Sequence, residues 1–332
     1  MSDRGVKVTS SFNHSSITTQ AEVNGSANCD QVHRSAHPFF MTVYSLVFLV
    51  GFLLNSLIMY YFCRAKRQVS RSIMVYLKNL AAADFLLCLC LPIRITNYTS
   101  NSVTLRLIYC NFGASALFLN MYASILFMGY IAANRYLKIV QGTSATHILQ
   151  TVRGACIIST MTWVFLLAMM SAYVILSFQT QKPLTSLPVV CEVLHSGQLT
   201  LLYKIIHICS TAIFLCVLVA LVFFYYSTSR KVLLAQQRQP ASAGSTKLAK
   251  SHRNMFVLVC VFCVCFVPYH LVRLPNTFLW RHCSWSKVFS YLMELTIIVS
   301  VLNVCLDPLI YFIFCKSFRT QLNQRVGSIN RN

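Results

Sequence analysis

The sequence predicts an all-α protein, a bundle of seven helices that span a membrane. Its composition points to a bilayer: 56% of the 332 residues are hydrophobic, only 11% are charged, and the mean hydropathy is +0.61. Soluble domains of this length are less apolar and carry more charge. The chain also contains seven long intervals with few charges, and a helix needs about 20 apolar residues to cross the hydrocarbon core.

The seven predicted spans divide the chain into three parts. They lie approximately at Phe39 to Cys63, Ser72 to Thr96, Leu107 to Tyr136, Gly154 to Ser177, Leu201 to Tyr226, Met255 to Phe278 and Val288 to Phe314. Residues 1–38 form a polar N-terminal tail, residues 39–314 the bundle, and residues 315–332 the C-terminal segment. The tail has no apolar stretch typical of a cleaved signal peptide, so the first span is expected to direct insertion.

Charge and glycosylation signals agree on the orientation. Most of the 28 Lys and Arg residues fall in or beside the segments that follow odd-numbered spans, which predicts that those segments are cytoplasmic. The sequons at Asn13, Asn24 and Asn97 all fall on the other side, where glycans are added. We therefore expect a plasma-membrane protein with an extracellular N-terminus. Its basic residues are expected to face membrane lipids and the cytoplasm, and no nucleic acid partner is expected.

The topology also places cysteines together in an oxidising compartment. Cys110 at the outer end of the third span and Cys191 in the second outer loop are predicted to form a disulfide. Cys29 and Cys283 remain as a second outer pair, which would tie the tail across the outer mouth. The other cysteines fall almost entirely inside apolar runs, and no Cys and His spacing is typical of a zinc site.

Two ionisable residues lie inside predicted spans at similar depth, Asp84 and Asp307. Such residues are costly in a bilayer and usually functional. Helical spacing allows three neutral side chains, Asn120, Ser124 and Asn303, to face the same point. Two carboxylates with neutral oxygens suit a sodium ion as an allosteric ligand. The alternative is a water-filled hydrogen-bond network in which one Asp is protonated.

Ordered motifs across residues 40 to 325 resemble those of the rhodopsin-like (class A) G-protein-coupled receptors. They are Gly51 to Asn55, Leu80-Ala81-Ala82-Ala83-Asp84, Asn134-Arg135-Tyr136, Trp163, Cys265-Phe266-Val267-Pro268, Asp307-Pro308-Leu309-Ile310-Tyr311 and Lys316-Ser317-Phe318-Arg319. The last would open a short amphipathic eighth helix. The resemblance implies a receptor, not an enzyme, that engages a heterotrimeric G protein and arrestin.

The resemblance also assigns switch residues and exposes departures from the family pattern. The switch set is Asn134, Arg135, Tyr136, Phe266, Pro268, Pro308 and Tyr311. The family usually has Asp where this chain has Asn134, and an amide cannot form the inactive-state ion pair with Arg135. We therefore predict raised basal activity. Cys315 beyond the last span is a candidate for palmitoylation, or is simply buried.

Some motifs are similar to those of the purinergic and lipid-mediator branch. The stretches from Cys265 to Pro275 and from Asn303 to Tyr311 resemble the ADP receptors and the lysophosphatidylserine receptor, and other positions resemble the platelet-activating-factor receptor. An inhibitory G protein is implied by this branch. The ligand expected is a small anionic or zwitterionic molecule, a phosphate-bearing lipid mediator. A nucleotide receptor is the alternative, and a transporter or a non-signalling scavenging receptor is more remote.

Cations and aromatic residues near the outer helix ends form the predicted ligand site. Its members are Arg94, Phe118, Tyr122, His195, His207, Tyr269, His270, Arg273 and Glu294. Arginine presents a fork of donors that fits phosphate oxygens, and aromatic rings supply walls. Glu294 would meet an ammonium group of the ligand or pair with a neighbouring Arg. Each of these residues has an alternative role in packing or in contacting lipid headgroups.

Overall fold

The computed structural model describes residues 37–64, 72–100, 102–140, 147–180, 191, 195–238, 243–278 and 283–315. Four predictions fall outside this part of the chain: the glycans on Asn13 and Asn24, the Cys29 to Cys283 disulfide, and the eighth helix after Cys315. Within it, seven helices are long and apolar enough to cross a membrane. The predicted seven-helix bundle is confirmed.

The helices are numbered α1 to α7 in chain order. They are α1 (His37–Arg64), α2 (Ser72–Thr99), α3 (Val103–Val140), α4 (Val152–Thr180), α5 (Gly197–Arg238), α6 (Ala243–Phe278) and α7, which comprises Cys283–Val301 and Asn303–Phe314. A single turn of 3₁₀ helix, Ile148–Gln150, precedes α4. Helices and not open sheets are expected here, because every backbone group in lipid must be satisfied within its own segment.

The predicted cytoplasmic ends of α5 and α6 extend beyond the predicted spans. The apolar run of α5 was expected to end near Tyr226, but the helix continues to Arg238; α6 starts at Ala243, well before Met255. The predicted spans end where the apolar residues end, and these stop where the hydrocarbon stops. The backbone hydrogen bonds of a helix are equally satisfied in water, so the basic extensions remain helical.

Two helices depart from regular α geometry where they meet polar residues. In α3, Tyr109–Gly113 forms a π-helical segment, and a side chain at Gly113 would lie 2.9 Å from the Tyr109 ring. In α7, Leu302 is a turn residue whose carbonyl accepts from the amide of Cys305 at 3.0 Å as well as from Leu306. Such irregularities re-aim side chains and occur often at functional positions.

Proline also shapes three of the helices. Pro92, Pro268, Pro275 and Pro308 all lie inside helices, in α2, α6 and α7. Pro275 is followed by about one more turn of α6. Each proline leaves one backbone carbonyl without its helical donor, which produces a kink or hinge.

The bundle is packed inside and apolar outside. Large side chains such as Tyr76, Leu80, Phe127 and Phe266 are fully buried, whereas residues such as Leu271 on the outer faces are more than half exposed. In a bilayer those faces contact lipid. The helix axes approach closely where residues are small: a Cβ at Gly51 of α1 would lie 2.6 Å from Val304 of α7.

Candidate ligand cavity and membrane-embedded polar sites

A cavity of about 440 Å³ lies in the outer half of the bundle, with walls from α2 to α7. Its volume is typical of small-molecule sites. Cys110 of α3 and Cys191 of the second outer loop contribute to its lining and are joined by a disulfide, with their Cα atoms 5.4 Å apart. This bridge was predicted from the topology and is confirmed. It holds Cys191 at the wall of the cavity.

Arg94 of α2 and Glu294 of α7 form a buried ion pair at one side of the cavity. Their closest N and O atoms are 2.5 Å apart, and the two side chains are 4% and 19% exposed. Tyr98 donates a hydrogen bond of 2.7 Å to the same Glu294 oxygen, and Tyr44 of α1 donates a longer one of 3.3 Å. The hydroxyl of Tyr109 is 2.5 Å from Arg94 Nη1. Three tyrosines therefore surround the pair, and the charge of Arg94 is largely met within the protein.

A second cationic group lies across the cavity on α6. Arg273 Nη2 is 3.1 Å from His207 Nε2 of α5, and its guanidinium lies over the ring of Tyr203 at 5.3 Å. The guanidinium only donates, so His207 Nε2 accepts this bond and its ring is neutral. His195 bonds to the Tyr173 hydroxyl at 2.9 Å and packs beside Tyr203. Arg273 is thus held in place from α5 at the wall of the cavity.

Most of the residues predicted for the ligand site line this one cavity. They are Arg94, Phe118, Tyr122, His195, His207, Tyr269, Arg273 and Glu294. His270 instead lies behind the wall, where it contacts Tyr122. Asn97, a predicted glycosylation site, also lines the cavity and accepts a 3.0 Å hydrogen bond from Arg106. A glycan on its Nδ2 would therefore begin at the cavity rim.

Sequence reasoning missed several residues that line the cavity or contact its lining residues. Tyr44, Tyr109 and Arg106 were not singled out, yet the first two contact the ion pair and the third bonds to Asn97. Tyr109, which contacts Arg94 of α2, is the first residue of the π-helical segment. Arg106 carried a detectable signal, a cation at an outer helix end. Nothing in the sequence indicates which face of α1 presents Tyr44.

A separate polar cluster lies at mid-membrane depth. Asp84 of α2 accepts hydrogen bonds from Tyr311 at 2.7 Å, from Ser124 at 3.3 Å and from Asn303 at 3.4 Å. Ser124 also bonds to the backbone carbonyl of Asn120. The structure therefore brings together α2, α3 and α7 through these side chains.

Asp307 completes this cluster without a comparable set of donors. Its carboxyl group lies beside that of Asp84, and all of its side chain is buried. Within the described ranges, neither of its carboxylate oxygens receives a hydrogen bond from a protein N–H or O–H group, and the same is true of the side-chain oxygens of Asn303 and Asn120. Buried acceptors of this kind ordinarily have a partner, such as water or an ion.

Known proteins match the part of the chain that contains the seven spans. Residues 54–311 match the family described as 7 transmembrane receptor (rhodopsin family). The chain belongs to this family. Purinoceptor 14 from Bos taurus is 32% identical to the receptor over 290 residues, which cover 86% of the receptor and 84% of the relative.

Two further relatives span even more of the receptor. Probable G-protein coupled receptor 34 from Mus musculus is 27% identical over 322 residues, covering 96% of the receptor and 84% of the relative. Purinoceptor 13 from Homo sapiens is 29% identical over 310 residues, covering 92% and 86%. The chain is thus a multi-pass membrane receptor of the class that couples to G proteins and binds small molecules, and not an enzyme.

Two of the residues assigned to switching, Asn134 and Arg135, lie at the inner end of the receptor. Asn134 is buried and donates from its amide to Ser72 at 2.8 Å and to the carbonyl of Leu149 at 2.7 Å, which links α3 to α2 and to the turn before α4. The Arg135 guanidinium lies over the ring of Phe314 at 4.7 Å. Asn134 thus uses its amide for neighbouring elements, and Arg135 rests against α7.

The other switch residues are spread through the core. Tyr136 stacks on Phe224 of α5 at 4.7 Å, Tyr311 donates to Asp84, and Phe266 is fully buried. Pro268 and Pro308 lie inside α6 and α7. Cys315, the candidate for palmitoylation, is buried with its Sγ 3.8 Å from the sulfur of Met74. Its side chain would have to turn outward to be acylated.

Proposed function

We propose that the receptor responds to an extracellular lipid mediator with a phosphate-bearing headgroup, such as a lysophospholipid or a molecule like platelet-activating factor. The proposal rests on a change from charged to apolar lining residues through the cavity. Its outer part holds Arg94, Arg106 and Arg273 together with the acid Glu294, and the remaining walls are mostly apolar. A charged headgroup attached to a hydrocarbon chain matches both parts.

The apolar part of the cavity is lined by exposed side chains of α4 and α5. Phe165 of α4 lines the cavity and is 45% exposed, and Cys209 of α5 likewise both lines it and is exposed. A wall made of side chains that face lipid on their other side suits an alkyl chain that continues into the bilayer. A nucleotide has no group that gains from such a wall.

The ion pair suggests how a headgroup is recognised. Arg94 and Glu294 satisfy each other, so an anion alone would have to leave Glu294 without its cation, which is costly in a buried site. A zwitterionic headgroup brings an ammonium for Glu294 together with a phosphate for an arginine. This supports a zwitterionic or mixed-charge lipid over a simple anion.

A nucleotide is the second candidate. The three arginines at the outer end of the cavity could meet a polyphosphate, and two of the relatives are named as purinoceptors. The apolar wall between α4 and α5 favours the lipid.

The experiment that tests these candidates is G-protein activation in cells that express the receptor. Platelet-activating factor, lysophosphatidylserine and nucleoside diphosphates are applied to the wild type and to Arg273→Gln. A matched control is Lys204→Gln, because Lys204 lies one turn from His207 on α5 but is exposed and does not line the cavity. A lipid response that is lost in Arg273→Gln and kept in Lys204→Gln supports the proposal. A response to nucleotides alone contradicts it.

For the cytoplasmic side we propose an inhibitory G protein, with arrestin binding the same face. The basic inner ends of α5 and α6, including Arg230, Lys231 and Arg253, would contribute to that face. The disulfide between Cys110 and Cys191 supports an outer location for that end of the bundle, since such bonds form in an oxidising compartment. An extracellular N-terminus follows from that orientation. Loss of the ligand response when inhibitory G proteins are blocked is the expected result.

We also propose that the mid-membrane cluster binds sodium as an allosteric ion. Asp84, Asp307, Asn303, Asn120 and Ser124 all carry side-chain oxygens, which suit a small hard cation. The support in the structure is the set of buried oxygens on Asp307, Asn303 and Asn120 that receive no donor from the described residues. A bound sodium would hold α2, α3 and α7 in their present arrangement.

A further inference from the structure

At the floor of the ligand cavity, a hydrogen bond connects α3 to α6. Tyr122 of α3 lines the cavity and is almost fully buried, and its hydroxyl is 2.7 Å from Nε2 of His270. Nδ1 of His270 is 2.8 Å from the carbonyl oxygen of Phe266. A carbonyl only accepts, so Nδ1 carries the proton and Nε2 is the acceptor. Tyr122 therefore donates to His270.

His270 is also held from α5. Its ring is parallel to that of Phe214, with a centroid distance of 3.7 Å and an interplanar angle of 4°. The imidazole thus contacts α3 through its nitrogen and α5 through its face. These contacts fix the position of α6 relative to both neighbours.

The contact lies at the hinge of α6. Pro268 is between Phe266 and His270, and it has no N–H to donate to the preceding turn. A helix bends at such a point with little loss of hydrogen bonding. Whether the inner part of α6 is held or released therefore depends on contacts made next to Pro268, and His270 makes two of them.

Of the two partners in this hydrogen bond, the one that a ligand can touch is Tyr122. His270 does not line the cavity, whereas Tyr122 does, and so does Phe118, whose ring is 4.5 Å from that of Tyr122. A molecule that fills this part of the cavity contacts these two α3 rings. The Tyr122 hydroxyl is then the atom that passes a displacement to α6.

We propose that Tyr122 is a positioning residue that transmits occupancy of the cavity to α6. With the hydrogen bond in place, α6 is held against α3 and α5. An agonist that moves the Tyr122 ring breaks the bond and releases the hinge at Pro268, which shifts the population towards the open inner end. The proposal holds for any ligand that reaches the floor, so it does not depend on the lipid assignment.

The test measures basal G-protein activation per receptor at the cell surface, with no ligand added. Tyr122→Phe keeps the ring and removes the donor, and His270→Phe keeps a ring against Phe214 and removes the acceptor. Each is expected to raise basal activation about five- to tenfold, the effect of losing one ordinary hydrogen bond from the closed state only. The double variant is expected to rise no further than either single variant, because both remove the same bond.

The matched control is Tyr130→Phe. Tyr130 is also on α3 and shares a 3.1 Å hydrogen bond with Thr162, but this bond runs to α4. Its basal activation should equal that of the wild type. The proposal is overturned if Tyr122→Phe and His270→Phe leave basal activation unchanged, if their effects multiply in the double variant, or if Tyr130→Phe gives the same rise. Should one single variant fail to reach the surface, the other decides.

Discussion

Two regions of the bundle bury acidic residues beside different neighbours, a cation in one region and a second acid in the other. At the outer end, Glu294 is paired with Arg94, the one ion pair between side chains in the described part of the chain, and tyrosines donate to it. At mid-membrane depth, Asp84 and Asp307 lie side by side, and the neutral donors Ser124, Asn303 and Tyr311 bond to Asp84.

The difference indicates which kind of bound partner each region would accept. The outer cluster is nearly neutral and largely satisfied as it stands, so a ligand gains only by exchanging partners with it. The inner cluster has two adjacent carboxyl groups and buried oxygens without donors among the described residues, which is the basis for the proposed sodium site. A ligand would rearrange the contacts of the first region, whereas a cation would complete those of the second.

Breaking the outer pair should have the largest effect. Arg94→Met leaves Glu294 buried without its cation, which is expected to lower the free energy of unfolding by about 3–5 kcal/mol. The midpoint of thermal unfolding of the purified receptor should fall by at least about 5 °C. Arg106→Met is the control, because Arg106 bonds to neutral Asn97, and it should cost about 1 kcal/mol or less. The double variant Arg94→Met with Glu294→Gln should be more stable than Arg94→Met; a further loss would contradict the pairing.

The stabilisation by sodium is expected to depend on the mid-membrane cluster and not on the outer one. Replacing choline with sodium in the buffer should stabilise the wild type by up to about 2.7 kcal/mol when sodium is about a hundredfold above its dissociation constant. Thermal unfolding in the two salts measures this. Asp84→Asn should abolish the shift, whereas Glu294→Gln should retain it. An equal shift in Asp84→Asn would mean that the mid-membrane cluster does not bind the ion.

The tyrosines around Glu294 allow a finer test of the outer cluster. Tyr98→Phe removes a 2.7 Å hydrogen bond to a carboxylate and is expected to cost about 1.5 kcal/mol. Tyr44→Phe removes the 3.3 Å bond to the same oxygen and should cost less than half as much. Thermal unfolding of the two variants side by side gives the order, and the reverse order would show that Tyr44 is the stronger partner.

An effect smaller than that of Tyr98→Phe is expected from adding an acid at the inner end. Asn134→Asp places a carboxylate next to Arg135, so the inner end gains the kind of pair that the outer end has. The closed state should gain about 1 kcal/mol, and basal G-protein activation should fall about fivefold. The variant also loses the amide donor to Leu149, which limits the gain. Unchanged or higher basal activation would contradict the prediction that Asn134 raises it.

Much of the bundle follows from local properties of the sequence. Seven apolar intervals predicted seven helices because each must satisfy its own backbone in lipid, and this requirement acts segment by segment. The pairing of Cys110 with Cys191 followed from topology alone. The helix ends did not follow, since α5 and α6 continue into water, where apolar counting carries no information.

Most residues of the candidate site could be predicted from the sequence, but the contacts between them could not. The sequence by itself determined the depth of each polar residue, because depth depends only on position along a spanning helix. The tertiary structure decided the rotation of each helix, and with it that Tyr44 of α1 meets Glu294 of α7, 250 residues away. It also decided that His270 lies behind Tyr122 and not in the cavity. Rotation depends on packing between helices, which no single segment encodes.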